Sequence, residues 1–213
     1  MEFIDKKLDE YVCAHSEKEP ELLYELNRET HINVLLPRML SGHFQGRVLS
    51  MISHMIKPKC VLEIGTYTGY SALCFAEGLA EGGKIITIDK NEELEDLVQN
   101  FVGKAGLSDS ISCVIGDAME IIPTLEEEFD MVFIDADKYN YINYYNMVFG
   151  KLKKGGFILI DNVLWSGKVL EPAKQNDKDT EVLIEFNDLI HKDERVQEVL
   201  LPIRDGLMLV RKK

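Results

Sequence analysis

VLEIGTYTGYS, Val61 to Ser71, decides how the rest of the chain is read. Its first four residues, apolar except for Glu63, read as a short buried strand. Gly65 and Gly69 then punctuate a turn, and after Ser71 the apolar residues Ala72, Leu73, Phe75, Ala76 and Leu79 recur at helical spacing. Strand, glycine turn and helix make the opening of a nucleotide-binding βα unit, in which a bare backbone lets a ligand come close. The next strand, IITID, ends in Asp89, about 20 residues further on, where an acidic side chain can hydrogen-bond a ribose hydroxyl. A glycine turn by itself more often does no more than join a strand to a helix. Asp89 and the strand ends described below reverse those odds.

Working outward, strands and helices alternate from Cys60 to the end. VLEI, KIITID, SISCVIGD, MVFIDA and FILIDN read as strands, the last two as near-continuous apolar runs expected where both faces are covered. A helix carrying Tyr141, Ile142, Tyr145, Val148 and Phe149 separates MVFIDA from FILIDN, and another runs over roughly 180–191. VQEVLLPI, an Asp-Gly turn and LMLVRKK close the chain as a hairpin. This order predicts an α/β fold with a doubly wound seven-stranded sheet, mostly parallel with an antiparallel last strand, and helices on both faces.

Upstream, residues 2–30 read as helical, with Phe3, Ile4, Leu8, Tyr11 and Val12 on one face and Pro20 in the first turn of a second helix bearing Leu22, Leu23 and Leu26. Residues 31–46 read as irregular around Pro37, Gly42 and Gly46, followed by a helix from Val48 that Pro58 stops. No repeat or linker interrupts the chain. A single domain over 1–213 is expected, with 1–58 as a helical cap segment and 59–213 as the core.

A formal charge of −13 gives no global signal for nucleic acid or an anionic membrane. No apolar run approaches the length of a membrane span, and the acidic N-terminus is unlike a signal peptide, so a cytoplasmic protein is expected. The four cysteines form neither a CxxC pair nor a metal-ligand spacing; Cys60, Cys74 and Cys113 read as small buried thiols.

In such sheets ligands bind beyond the carboxyl ends of the strands. If the first, fourth and fifth strands are neighbours, Asp135, Asp161 and Asn162 can converge there. These are oxygen donors suited to a hard cation, Mg²⁺ above all, with Mn²⁺ or Ca²⁺ as alternatives. Any one of them alone would be read as a turn cap. Lys138, three residues after Asp135, would ordinarily be a solvated lysine; beside a divalent cation it becomes a usable base. Asp137 reads as an outward-facing partner.

Taken in order, VLEIGTYTGYSAL, IDK, GDA, FIDADK and LIDNVLWSGKV resemble the cation-dependent S-adenosylmethionine O-methyltransferases, the group of catechol and caffeoyl-CoA O-methyltransferases, and most nearly its small bacterial branch. The resemblance covers about residues 30–213 and implies a Rossmann-like sheet of seven strands. By position it implies that Glu63, Gly65 and Ser71 hold the methionine part of the cofactor, that Asp89 binds the ribose, and that Asp117 and Ala118 lie near the adenine. Met39 would lie over the cofactor, and Asp135 would serve it as well as the metal. The metal ligands would be Asp135, Asp161 and Asn162 and the general base Lys138. Trp165 would wall the substrate site, although a lone tryptophan after a strand is as often core.

An NAD-dependent dehydrogenase is the rival from another class. The turn is GxxxG, not GxGxxG, and no Tyr-x-x-x-Lys pair occurs. Within the family two acceptors stay open: a small catechol-type molecule, or 5-hydroxyuridine in a tRNA anticodon loop. The latter needs a basic surface with a stacking aromatic, for which Arg38, Arg47, Lys168 and Lys174 with Phe44 and Trp165 are candidates. A homodimer is expected from the family.

Overall fold

The computed structural model describes residues 5–213, so Phe3 and Ile4 of the expected first helical face lie outside it. The described chain forms two compact units, residues 5–118 and 119–213. Seven strands form one sheet in the order β3-β2-β1-β4-β5-β7-β6.

The first unit holds α1 (Lys6–Ala14), α2 (Glu21–Asn33), α3 (Gly42–Ile56), β1 (Cys60–Ile64), α4 (Tyr70–Ala76), β2 (Lys84–Asp89), α5 (Glu95–Lys104) and β3 (Ile111–Ile115). Its strands are parallel, with Leu62 opposite Ile86 and Thr87 opposite Cys113. Every residue of β1 is buried. Burial of Val61, Leu62, Ile64, Ile85 and Ile88 against Phe75, Val98 and Phe101 makes its core, each side chain contributing roughly 1.5–3 kcal/mol.

The second unit follows the short α6 (Ala118–Ile121), which Pro123 cannot prolong in regular form, with β4 (Phe129–Ile134), α7 (Tyr141–Lys151), β5 (Leu152–Asp161), α8 (Lys178–Lys192), β6 (Val196–Leu201) and β7 (Leu207–Lys212). β4 and β5 are parallel, with Val132 opposite Ile158. β7 runs antiparallel between β5 and β6. Tyr141 and Tyr145 of α7 meet Phe186 of α8 edge-on at 5.7 and 6.2 Å between ring centres.

The expected strand set and the antiparallel ending are found. On the apolar face read for α1, Leu8 and Tyr11 are exposed. Three expectations need correction. The run 2–30 breaks at 15–20, and Pro20 is the N-cap of α2, not a first-turn residue. α3 begins at Gly42, six residues before the apolar spacing declares it, and its Gly46 packs where a Cβ would come within 2.6 Å of the Tyr70 ring. Cys60 and Cys74 are buried, but Cys113, on edge strand β3, is only half-buried.

Candidate functional site

Two clusters lie at the carboxyl ends of the strands, one in each unit. In residues 5–118 the chain leaves β1 through Gly65 (φ +102), Tyr67 (φ +48) and Gly69 (φ +83), a left-handed path that glycine follows without strain. Asp89, ending β2, fixes this turn: its carboxylate accepts the Tyr67 N–H at 2.7 Å and the Asn91 N–H at 2.9 Å. Glu63 is wholly buried; it accepts the Ser71 hydroxyl at 2.5 Å and the Thr87 hydroxyl, and Thr87 in turn pairs with Thr66 at 2.5 Å. A buried carboxylate needs such donors, because an uncompensated one costs several kcal/mol. Thr66 and Thr87 went unnoticed in the sequence, since single threonines inside a strand and a turn give no pattern.

Asp117 follows β3 and pairs with Lys90 at 3.2 Å at a half-exposed position, while Ala118 is buried at the start of α6. Met39 ends a one-turn 3₁₀ helix, Pro37–Met39, and is exposed.

In residues 119–213 the register Ile134 opposite Ile160 carries Asp135 and Asp161 to the ends of neighbouring strands, about 5 Å per strand step. Asp161 is buried, and its Oδ1 accepts the N–H of Asn162, which is held at φ +60. Lys138 is also buried; its Nζ donates to Asn162 Oδ1 at 2.7 Å, to Asp135 Oδ1 at 3.2 Å and to Tyr141 Oη at 2.5 Å. The Tyr141 hydroxyl donates a hydrogen bond to the Asp161 carbonyl at 3.0 Å. Burial, then the carboxylates of Asp135 and Asp161, push the Tyr141 phenol well above its ordinary value, so it stays a donor. Tyr141 was missed in the sequence because it belonged to an apolar helical face. Its spacing of three from Lys138, which brings the two side by side on one turn, was the available signal.

Asp137 is exposed and accepts from Tyr144 Oη at 2.6 Å, as expected of an outward-facing partner. Trp165 (φ +48) follows in the left-handed loop after Asn162; Lys168 lies 5.5 Å from its ring, and its indole Nε1 is buried without a partner.

The candidate ligand set contains two carboxylates and an amide, and among the described residues no group of three or more His, Cys, Asp or Glu is placed to hold a metal ion. The donor chemistry nevertheless fits a hard cation. The Lys138 ammonium already occupies a position between Asp135 Oδ1 and Asn162 Oδ1, so these oxygens accept a positive group between them.

The basic surface imagined for RNA loses a member. Arg47 is buried and makes a two-pronged pair with Glu77 at 2.7 and 2.8 Å. Lys168 pairs with Asp177 at 3.1 Å.

A family model described as O-methyltransferase matches residues 13–213. The caffeoyl-CoA O-methyltransferase of Petroselinum crispum is 35% identical over 206 residues, covering 92% of this chain and 85% of that protein. Among solved structures, the SAH-bound methyltransferase PaMTH1 of Podospora anserina superimposes with a TM-score of 0.89 at 29% identity, over 97% of this chain and 94% of that one. The SAH-bound O-methyltransferase of Bacillus cereus gives 0.88 at 28% identity, over 97% of both chains. This chain belongs to the O-methyltransferase family and is an S-adenosylmethionine-dependent methyl-transferring enzyme with caffeoyl-CoA O-methyltransferases among its relatives. Among the described residues no helix is long and apolar enough to cross a membrane.

Proposed function

We propose that this enzyme methylates one of two adjacent oxygens on a small catechol or caffeoyl-type acceptor, with a divalent cation, Mg²⁺ first, held by Asp135, Asp161 and Asn162. The observation that carries this reading is the seat of Lys138 Nζ between Asp135 Oδ1 and Asn162 Oδ1, where positive charge is stabilised beside a buried carboxylate. The family model runs across both compact units, which supports treating 1–213 as one methyltransferase domain. Four free cysteines favour a reducing compartment, the cytoplasm.

In this reading residues 5–118 bind the donor. Asp89 receives the ribose hydroxyls with the lone pairs its two backbone partners leave free, and Gly65 lets the backbone approach. Ser71, its hydroxyl hydrogen given to Glu63, offers its oxygen lone pairs to the methionine part. Asp117 and Ala118 border the adenine, and Met39 covers the cofactor. SAH and SAM in the related structures support this donor. Residues 119–213 handle the acceptor. When bound, the ion would make an acceptor hydroxyl easier to ionise and hold two vicinal oxygens in place. Asp135 serves both donor and ion. Lys138 would take the acceptor proton onto Nζ once the cation holds Asp135 and Asn162, and Tyr141 fixes the direction of Nζ. The acceptor oxygen then bonds to the methyl carbon as the bond from methyl to sulfur breaks, leaving SAH; holding the two in line supplies much of the acceleration. Trp165 walls the acceptor. A homodimer is also proposed, since Met51 and Met55 stand exposed one turn apart on α3; light scattering would show a monomer if it is wrong.

Labelled S-adenosylmethionine, Mg²⁺ and caffeic acid, with and without a chelator, test the reading. Label in the acid that disappears with chelator supports it. Transfer only to hydroxyuridine-bearing tRNA, or transfer that ignores the chelator, overturns it.

A further inference from the structure

Between Asn162 and Gly167 the backbone is left-handed at Asn162 (φ +60), Trp165 (φ +48), Ser166 (φ +54) and Gly167 (φ +80). Three of these are not glycine, a conformation that each pays for with roughly a kcal/mol of strain and that persists only if surroundings enforce it. The β6–β7 connection supplies much of the enforcement. The Asp205 carboxylate accepts the Ser166 N–H, the Asp205 carbonyl accepts the Leu164 N–H at 2.9 Å, and the Gly206 carbonyl accepts the Val163 N–H at 3.3 Å. Gly206 sits so close that a Cβ there would come within 2.5 Å of Leu164 Cγ and 2.9 Å of its nitrogen. From the other side Asn187 of α8 donates to the Val163 carbonyl at 2.9 Å. Burial raises the Asp205 carboxyl from its ordinary value, while the Ser166 N–H and the charge of Lys138 pull it back.

We propose that Asp205 is a positioning residue for the acceptor half of the reaction: through the Ser166 N–H it sets the loop that presents Asn162 and Trp165. The proposal deepens the acceptor reading given above and rests on it for its kinetic arm only. Neither Asp205 nor Gly206 carries a role in the family resemblance or in the sequence motifs, where the pair read only as a hairpin turn.

Trp165 is the single tryptophan of the chain, so its fluorescence reports this loop without any substrate. Three variants separate the cases. Asp205→Ala removes the acceptor, Asp205→Glu misplaces it by one methylene, and Asp205→Asn keeps an oxygen in place while removing the charge. Acrylamide quenching of Trp165 is expected to rise about twofold in the Ala and Glu variants. Acceptor KM should rise about tenfold, the scale of one lost hydrogen bond that fixes a loop, with SAH affinity within about twofold of the parent. Asp205→Asn should match the parent in both readouts. If Asp205→Ala does not fold, Asp205→Glu carries the same comparison. Parental quenching in a folded Ala or Glu variant overturns the proposal, as does an Asn variant that behaves like the Ala variant. A parent enzyme inactive on the catechol would defeat the acceptor reading alone, because the quenching comparison would still stand.

Discussion

Lys138 has three oxygen neighbours and almost no solvent, and each neighbour constrains it differently. Asp135 and Asn162 hold the amine at the strand ends, and Tyr141 ties it to the β5 backbone through the Asp161 carbonyl. Lys138→Met keeps most of the side-chain volume and removes the proton acceptor. Methyl transfer should fall by about 10²–10⁴-fold, the usual worth of a positioned base, with SAH affinity unchanged by calorimetry. A variant with parental turnover would remove Lys138 from the chemistry. Tyr141→Phe removes the buried hydrogen bonds that its hydroxyl makes with Lys138 and the Asp161 carbonyl, so it should lower unfolding free energy by about 1–3 kcal/mol in urea titration as well as slowing transfer. Lys138 and the three strand-end oxygens were legible because FIDADK and DNVLWSGKV place them at strand ends. Tyr141 was not, because a buried tyrosine on an apolar face looks the same in sequence whether or not its hydroxyl is used. Arg47 failed in the opposite sense: a charged residue on a helix reads as exposed unless its partner, here Glu77 thirty residues on, can be seen.

At the scale of elements, the strands were readable because buried parallel strands are short, branched and apolar, and glycines mark where they end. The helices near the N-terminus were less so. α3 starts with Gly42, His43, Phe44, Gln45 and Gly46, a stretch whose two glycines oppose helix formation by about 1 kcal/mol each; tertiary packing decides the outcome. Close approach between α3 and the end of α4 shows how tightly. The Ser53 hydroxyl donates to the Phe75 carbonyl at 2.6 Å, and a Cβ on Gly78 would lie 2.2 Å from the His54 nitrogen and 2.3 Å from the Ser53 carbonyl carbon. Those are backbone atoms that cannot swing aside. Gly78→Ala should therefore cost about 3 kcal/mol, the upper part of the overpacking range, measured by chemical denaturation. Gly82→Ala is the control for lost flexibility: Gly82 has open space around it but φ +68, so only backbone strain of about 1–2 kcal/mol should appear there. A Gly78→Ala variant as stable as the parent would mean that this helix contact contributes nothing.

Over the whole chain, acidic residues outnumber basic ones by enough to give −13, so mild acidification first relieves self-repulsion and should stabilise the protein slightly. Asp193 opposes that trend. It lies just beyond α8, with a largely buried side chain, and gathers the Arg195 guanidinium at 2.6 and 2.8 Å, the Arg195 N–H at 3.0 Å and the Tyr145 hydroxyl of α7 at 2.8 Å. Chiefly the Arg195 hydrogen bonds hold its carboxyl well below the usual carboxylate range. Because the folded value is depressed, the stabilisation is complete above the unfolded value of about 4 and is lost as pH falls through the folded one. Asp193→Asn keeps the size but not the charge. Its melting temperature should sit below the parent's by a constant gap from pH 7 to about pH 5, and the gap should close progressively below about pH 4. The general relief of repulsion acts on both proteins nearly alike, so the difference isolates Asp193. A gap that stays constant to pH 3 would mean that the ionised carboxylate stabilises the fold no more than its protonated form does.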